Sequence, residues 1–187
     1  MPYTIVLTPS AEEALKYVEV SQTLFSDHQP CYLLNKDGTS SPHITVIQFE
    51  SESLELARKV WVKMCEQLRQ ENFKPFSPPF TGVAFVEGVG PYQDTTWVEL
   101  SVKRGGKDSP IMRVHCVALA SLNEYGLKPL NACDNDYRPH LTLGRIIMPE
   151  MIKAWPKDLC KNPGEFNLEF GFSDEKWQYA KRLEIFS

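Results

Sequence analysis

The sequence predicts an α+β fold of two similar lobes, and three observations lead there. Segments that alternate with a period of two are interleaved with segments of helical period. The pattern Pro-His-apolar-Thr-apolar occurs twice, as Pro42-His43-Ile44-Thr45-Val46 and Pro139-His140-Leu141-Thr142-Leu143. Each copy follows a strand, a helix and a loop, and the copies lie 97 residues apart in a chain of 187. Two halves with one layout read as lobes related by an approximate two-fold, each giving one strand to a shared cleft.

Residues 3–8 (YTIVLT) form the first expected strand. A helix over about 9–24 follows, and its start has two readings: Thr8 as the cap with Pro9 at the first helical position, or Ser10 with Glu13 in a capping box. Residues 31–35 read as a strand, and 36–42 as a loop from their Lys-Asp-Gly-Thr-Ser-Ser-Pro composition. Residues 43–49 are a β-branched, half-alternating strand. A second helix covers about 51–71, where Ala57, Trp61, Met64 and Leu68 make an apolar stripe for the core. The Pro-, Gly- and Phe-rich stretch 75–91 holds one strand near 82–87, and Phe73, Phe76, Phe80 and Phe85 are expected to pack the lobe junction. Residues 95–103 are a strand, and 104–108 a turn.

Ser109 caps a third helix with Pro110 at its first position, and Gly126 terminates it. Ile111, Val114, Ala118, Leu122 and Tyr125 face its core side. After a loop, 140–147 is a strand. A short helix near 150–155 and strands at about 165–172 and 177–186 complete the layout, which reads as one domain over 1–187.

Net charge is −4. Gripping a long duplex requires a basic surplus to neutralise phosphates, so a nucleic-acid ligand would be an end, a short oligonucleotide or a single nucleotide. No stretch approaches the ~18 apolar residues of a membrane span, and Met1–Thr8 lacks the features of a signal peptide. The reading is a cytoplasmic, monomeric protein. The five cysteines, Cys31, Cys65, Cys116, Cys133 and Cys160, are scattered with no C-x-x-C pair, as free thiols in a reducing compartment would be.

The repeated pattern carries the chemistry. Side chains i and i+2 of a strand share a face, so His43 and Thr45 project together, as do His140 and Thr142. Ile44, Val46, Leu141 and Leu143 point the other way, into the core. Two such platforms facing each other would set an imidazole on either side of one small ligand. Phosphodiester cleavage needs one group to take a proton from the attacking oxygen and another to give one to the leaving oxygen. Imidazole suits both tasks near neutrality, and threonine hydroxyls can hold the non-bridging oxygens. A lone His-x-Thr would mean little; two copies of the five-residue pattern are specific. The scheme needs no metal, and the sequence has no H-E-x-x-H or His–carboxylate cluster.

The two motifs resemble the paired H-x-T signatures of the 2H phosphoesterase superfamily, which includes 2′-5′ RNA ligase-like proteins, cyclic phosphodiesterases and 2′,5′-oligonucleotide phosphodiesterases. That resemblance implies a bilobal α+β fold, with lobes of antiparallel sheet and outer helices around a central cleft. It also implies cyclic-phosphate or 2′,5′-diester substrates and catalysis without metal or cofactor. The family's histidines map onto His43 and His140, and its Thr or Ser onto Thr45 and Thr142. His140-Leu-Thr-Leu-Gly-Arg145 resembles the RNA ligase-like branch, while Tyr137-x-Pro-His140 resembles the plant cyclic phosphodiesterases.

Further candidates surround the motifs. Arg145 and Arg138 could contact phosphate. On a regular strand Arg145 would face away from His140, unless Gly144 permits a bulge. Tyr92 and Tyr137 could stack a nucleobase, whereas Trp97 and Trp177 read as core. His115 reads as a partly buried structural histidine, and His28 as surface. The leading expectation is a phosphodiesterase acting on a nucleotide or RNA end. The alternatives are a binding module with weak turnover and a 2′-5′ RNA ligase, the latter requiring Lys103, Arg104, Arg138 and Arg145 to gather on one rim.

Overall fold

The computed structural model describes residues 1–25, 30–35, 41–147, 159–174 and 177–187. Eight strands, β1 (Pro2–Pro9), β2 (Pro30–Leu33), β3 (Ile44–Glu50), β4 (Phe80–Glu87), β5 (Thr96–Val102), β6 (His140–Ile146), β7 (Phe166–Ser173) and β8 (Tyr179–Ile185), join three helices, α1 (Ala11–Phe25), α2 (Leu54–Gln70) and α3 (Pro110–Glu124). His28, most of the 36–42 loop and the helix expected near 150–155 lie outside the described residues.

The helix boundaries follow local chemistry. Pro9 belongs to β1, where it pairs with Phe166. Ser10 is the cap of α1, accepting the Glu13 amide at 3.2 Å, so the second of the two readings of this start holds. Ser53 caps α2 through the Leu56 amide, which is why that helix begins later than the expected 51. Ser109 caps α3 with Pro110 in its first turn. Gly126 leaves α3 at φ 68°, a left-handed position that glycine enters without Cβ strain, and the Leu127 amide returns to the Leu122 carbonyl.

All strand pairings are antiparallel, in the order β4-β5-β6-β3-β1-β7-β8, with β2 also pairing with β6. The halves β4-β5-β6 and β3-β1-β7-β8 meet through one ladder pair, Ile44 with Leu141. The motif strands therefore lie side by side in one sheet, where the sequence reading had two platforms facing each other. The lobes are also interlaced along the chain. β2, from the N-terminal half, sits against β6, while β7 and β8, from the C-terminal end, flank β1. Helices cross over too: α1 packs on β6 and α3 on β3.

The two motif strands share a detail that alternation alone does not predict. In the β1 ladder, Val6 faces Thr45 and Ile5 faces Ile47, so Val46 is an extra residue. In the β5 ladder, Glu99 faces Thr142 and Val98 faces Gly144, so Leu143 is the equivalent extra residue. Each bulge follows its threonine directly, and a side chain from a crossing helix takes the bulged carbonyl. His115 of α3 bonds the Val46 carbonyl at 2.9 Å, and the Ser21 hydroxyl of α1 donates to the Leu143 carbonyl. Gly144 lies beside the second bulge at a close approach, where a Cβ would stand 3.2 Å from both the Tyr32 carbonyl and a Leu33 methyl and one of them would have to shift by a few tenths of an ångström. Ile44, Val46, Leu141 and Leu143 are fully buried in a core that runs through both halves of the sheet.

Candidate active site

Ile44 and Leu141 point into the core, so the residues flanking them in each strand project from the opposite face. His43, Thr45, His140 and Thr142 line one cleft there, of about 510 Å³. The β4–β5 half supplies Val86, Val89, Tyr92 and Trp97; the other half supplies Gln48, Trp177 and Gln178. The bulge at Val46 brings Gln48, three residues beyond Thr45, back to the cleft face.

Both imidazoles are anchored in the same way. His43 Nδ1 lies 2.7 Å from the Ser41 carbonyl, and His140 Nδ1 lies 2.8 Å from the Arg138 carbonyl. A carbonyl only accepts, so each Nδ1 carries its proton and each Nε2 is the nitrogen left for chemistry. Their surroundings differ. Burial pushes the pKa of His43 down to about 4; the Ser41 carbonyl opposes this, the nearby His140 adds to it, and Glu169 opposes it. Tyr179 flanks the His43 ring, with centroids 5.6 Å apart. At His140, the buried Glu99 carboxylate stands 3.3 Å from Nε2.

The candidates around the motifs fall into two groups. Arg138 reaches the cleft, but its guanidinium grips Glu99 at 2.6 Å. Tyr92 also lines the cleft, in the turn between β4 and β5. Arg145 and Tyr137 need correcting. The bulge at Leu143 does bring Arg145 round to the side of His140. Its side chain then lies buried under the cleft wall, with the guanidinium carbon 4.0 Å from the centroid of Tyr92 and 4.9 Å from that of Trp97. It supports an aromatic wall and is not among the residues that line the cleft. The Tyr137 ring is 4 % exposed and stacks on His115 at 3.8 Å, and its hydroxyl donates to the Thr45 carbonyl. Tyr137 is part of the cleft wall, but with one face on His115 and so little of the ring exposed it offers no open stacking surface for a nucleobase.

The two tryptophans depart from the core reading in the opposite direction. Trp97 is half-buried and Trp177 is 41 % exposed, and both line the cleft. Trp177 sits at φ 63° just before β8, and its carbonyl accepts a 2.6 Å bond from Gln48 Nε2. Its place at the end of a period-two segment hid this, because alternation does not say where a hairpin turn begins. Sequence reasoning also missed Glu99, Gln48 and Asn131. For Glu99 there was a faint signal, an acidic residue in mid-strand on the same face as Trp97.

The basic rim that ligation would require does not form. Of Lys103, Arg104, Arg138 and Arg145, only Arg138 lines the cleft, and Arg104 turns to the Asn135 carbonyl. Among the described residues, the other charged side chains of the lining are Glu87, Glu99 and Asp136. Among the described residues, no three His, Cys, Asp or Glu side chains are placed to hold a metal ion. Cys65, Cys116, Cys133 and Cys160 are free thiols, and among the described residues no helix is long and apolar enough to cross a membrane.

No family model matches the chain, and no curated protein matches its sequence. Its fold is shared with solved structures of E. coli LigT and of a phosphoesterase. The structure of E. coli LigT complexed with 3′-AMP superposes with a TM-score of 0.60 at 12 % identity, covering 99 % of this chain and 97 % of that one. E. coli LigT complexed with ATP gives 0.56 at 13 % identity, covering 98 % and 95 %. A structure described as a phosphoesterase gives 0.56 at 15 % identity, with the same coverage. At these identities the likeness is one of fold.

Proposed function

We propose that this chain is a metal-independent phosphodiesterase that cleaves a 2′,3′-cyclic phosphate or a 2′,5′-phosphodiester at a nucleotide or RNA end. One observation carries the reading. Two imidazoles, each with Nδ1 held by the carbonyl two residues earlier, flank the Ile44–Leu141 pair and open onto the same cleft. Two such nitrogens and two hydroxyls are what in-line displacement at a phosphodiester asks for. One Nε2 takes the proton of the attacking water or ribose hydroxyl as its oxygen bonds to phosphorus. The other gives a proton to the ester oxygen as the second P–O bond breaks. Thr45 and Thr142 donate to the non-bridging oxygens, where charge builds up.

The surroundings support a nucleotide ligand. Trp97, Tyr92 and Trp177 offer ring surface for a base. Among the described residues, the carboxylates Glu87, Glu99 and Asp136 outnumber Arg138 in the lining, which suits a diester with its single charge better than a phosphate monoester, with nearly two. The fold relative LigT has been seen complexed with 3′-AMP, ATP and NADP+, and we take nucleotides to be the ligand class here as well.

The test is a panel of 2′,3′-cyclic mononucleotides, 2′,5′-oligoadenylate, ADP-ribose 1″,2″-cyclic phosphate and cyclic-phosphate-ended RNA, with His43→Ala as control. Turnover of at least one substrate, lost in the control, is expected. A wild-type protein that binds a cyclic nucleotide tightly and leaves every member intact would overturn the reading in favour of a binding module.

A further inference from the structure

The two halves of the site are built alike, so the points where they differ carry information. Each motif histidine is anchored at i−2, and each motif threonine has a cross-strand neighbour on the adjacent strand. In the first half that neighbour is Val6, fully buried and apolar; in the second it is Glu99. The Glu99 side chain is only 4 % exposed, and its oxygens have two partners: the Arg138 guanidinium at 2.6 Å, and His140 Nε2 at 3.3 Å. Since His140 Nδ1 already donates to the Arg138 carbonyl, an unprotonated Nε2 would turn its lone pair toward the carboxylate. Only a proton on that nitrogen makes the contact an attractive ion pair, and 3.3 Å is within salt-bridge reach.

We propose that Glu99 is the positioning residue that makes the two imidazoles unequal, holding a proton-bearing Nε2 on His140 so that His140 protonates the leaving oxygen and His43 takes the proton of the attacking oxygen. The inference rests on the diesterase reading above and deepens it. In the displacement, the attacking O–H proton passes to His43 Nε2 as the new P–O bond forms. The old P–O bond breaks, and its oxygen takes the proton from His140 Nε2. Each ring then exchanges one proton with water, restoring the starting state. Arg138 grips the carboxylate with the shorter contact, so Glu99 stays in place when the proton passes from Nε2 to the leaving oxygen. Among the described residues, the charged and titratable groups around His140 are Glu99 on β5, Arg138 just before β6 and His43 beyond the Ile44–Leu141 pair. Around His43 they are His140, Glu169 and Tyr179, and the lowering of its basicity by burial fits a ring that waits unprotonated.

The test compares adenylyl-2′,5′-adenosine, whose leaving alkoxide needs a proton, with adenosine 2′-(4-nitrophenyl phosphate), whose acidic phenol leaves without one. Glu99→Gln should lower kcat on the first by about 10–100-fold with KM within about twofold, part of the usual worth of a positioned acid. On the nitrophenyl ester the loss should shrink below about threefold. His140→Ala should recover on that ester in the same way, His43→Ala should stay impaired on both, and Glu99→Asp should restore part of the rate. Equal loss on both esters in Glu99→Gln, or recovery in His43→Ala instead of His140→Ala, would overturn the assignment. A wild-type protein that cleaves neither ester and no 2′,3′-cyclic nucleotide would sink the diesterase reading. The Glu99 contact is then judged by ¹⁵N NMR at constant pH. The His140 ring resonances should move in Glu99→Gln while those of His115 stay, and unmoved His140 signals overturn the proposal.

Discussion

The rings of His115 and Tyr137 lie parallel, 3.8 Å apart, and together hold two successive carbonyls of the first motif strand. Tyr137 donates to the Thr45 carbonyl and His115 Nδ1 to that of Val46, while His115 Nε2 accepts the Asp134 amide. One stacked pair thus ties the bulge beside Thr45 to the loop that leads into the second motif. The clamp fixes both rings in place.

Removing the Tyr137 hydroxyl by Tyr137→Phe should cost about 1 kcal/mol, the net worth of one hydrogen bond. His115→Ala should cost more, roughly 2–4 kcal/mol, because it opens a cavity and leaves a carbonyl and an amide unsatisfied. Urea unfolding measures both. A Tyr137→Phe protein of unchanged stability but sharply raised KM would instead place Tyr137 against the ligand.

Replacing either His43 or His140 by Ala should reduce turnover of a natural diester by about 10²–10⁴-fold, the usual worth of a positioned acid or base. The folded state should persist, because both rings are only half-buried. EDTA should leave the wild-type rate unchanged; activity abolished by chelation and restored by zinc would reject the metal-free scheme.

The low basicity of His43 has two consequences with pH. As the base, His43 must be unprotonated, and with a pKa near 4 it stays so well below the usual 6.5. The acid limb of the rate profile should therefore lie near pH 4–5, and a limb centred at 6.5 would contradict the environment described. For stability, the unfolded chain protonates this ring near 6.5 while the folded one resists until about 4. The unfolded state binds more protons in that window, so stability should be complete above about 6.5 and fall as the pH drops toward 4. His115, also lowered chiefly by burial, adds a loss of the same sign.

Trp177 presents its side chain to the cleft from a left-handed backbone position that costs an L-residue roughly 1–2 kcal/mol. Trp177→Gly should relieve this and raise stability by up to about 1 kcal/mol, offset by the greater freedom of glycine in the unfolded chain. KM for a nucleotide substrate should rise several-fold with kcat little changed. A variant that loses stability and keeps its KM would show that the ring serves packing alone.

The strands, the helices and the paired histidines were legible because they depend on local rules. Ser109-Pro110 and Gly126 mark the ends of α3 through backbone geometry that neighbouring residues dictate. His43 and Thr45 share a face because a strand alternates, whatever surrounds it. Arg145 shows where such rules stop. Gly144 hinted at the bulge, but the covering of the guanidinium by Tyr92 and Trp97 depends on which strand lies alongside β6. Tyr137 and Trp177 exchanged expected places for the same reason. A ring's exposure is set by what folds over it from far along the chain, and residue type carries only a preference.

By itself the sequence determined the alternation of strands and helices, the two His-x-Thr platforms and the residues at their backs, since each of these follows from side-chain periodicity within a few positions. Tertiary structure alone decided that the platforms stand side by side at the Ile44–Leu141 pair, that the crossing helices α1 and α3 take up the bulged carbonyls, and that Glu99 stands beside one imidazole and Val6 in the matching place of the other half. Those outcomes rest on which strands become neighbours, and contacts over such separations in the chain leave no periodic mark in it.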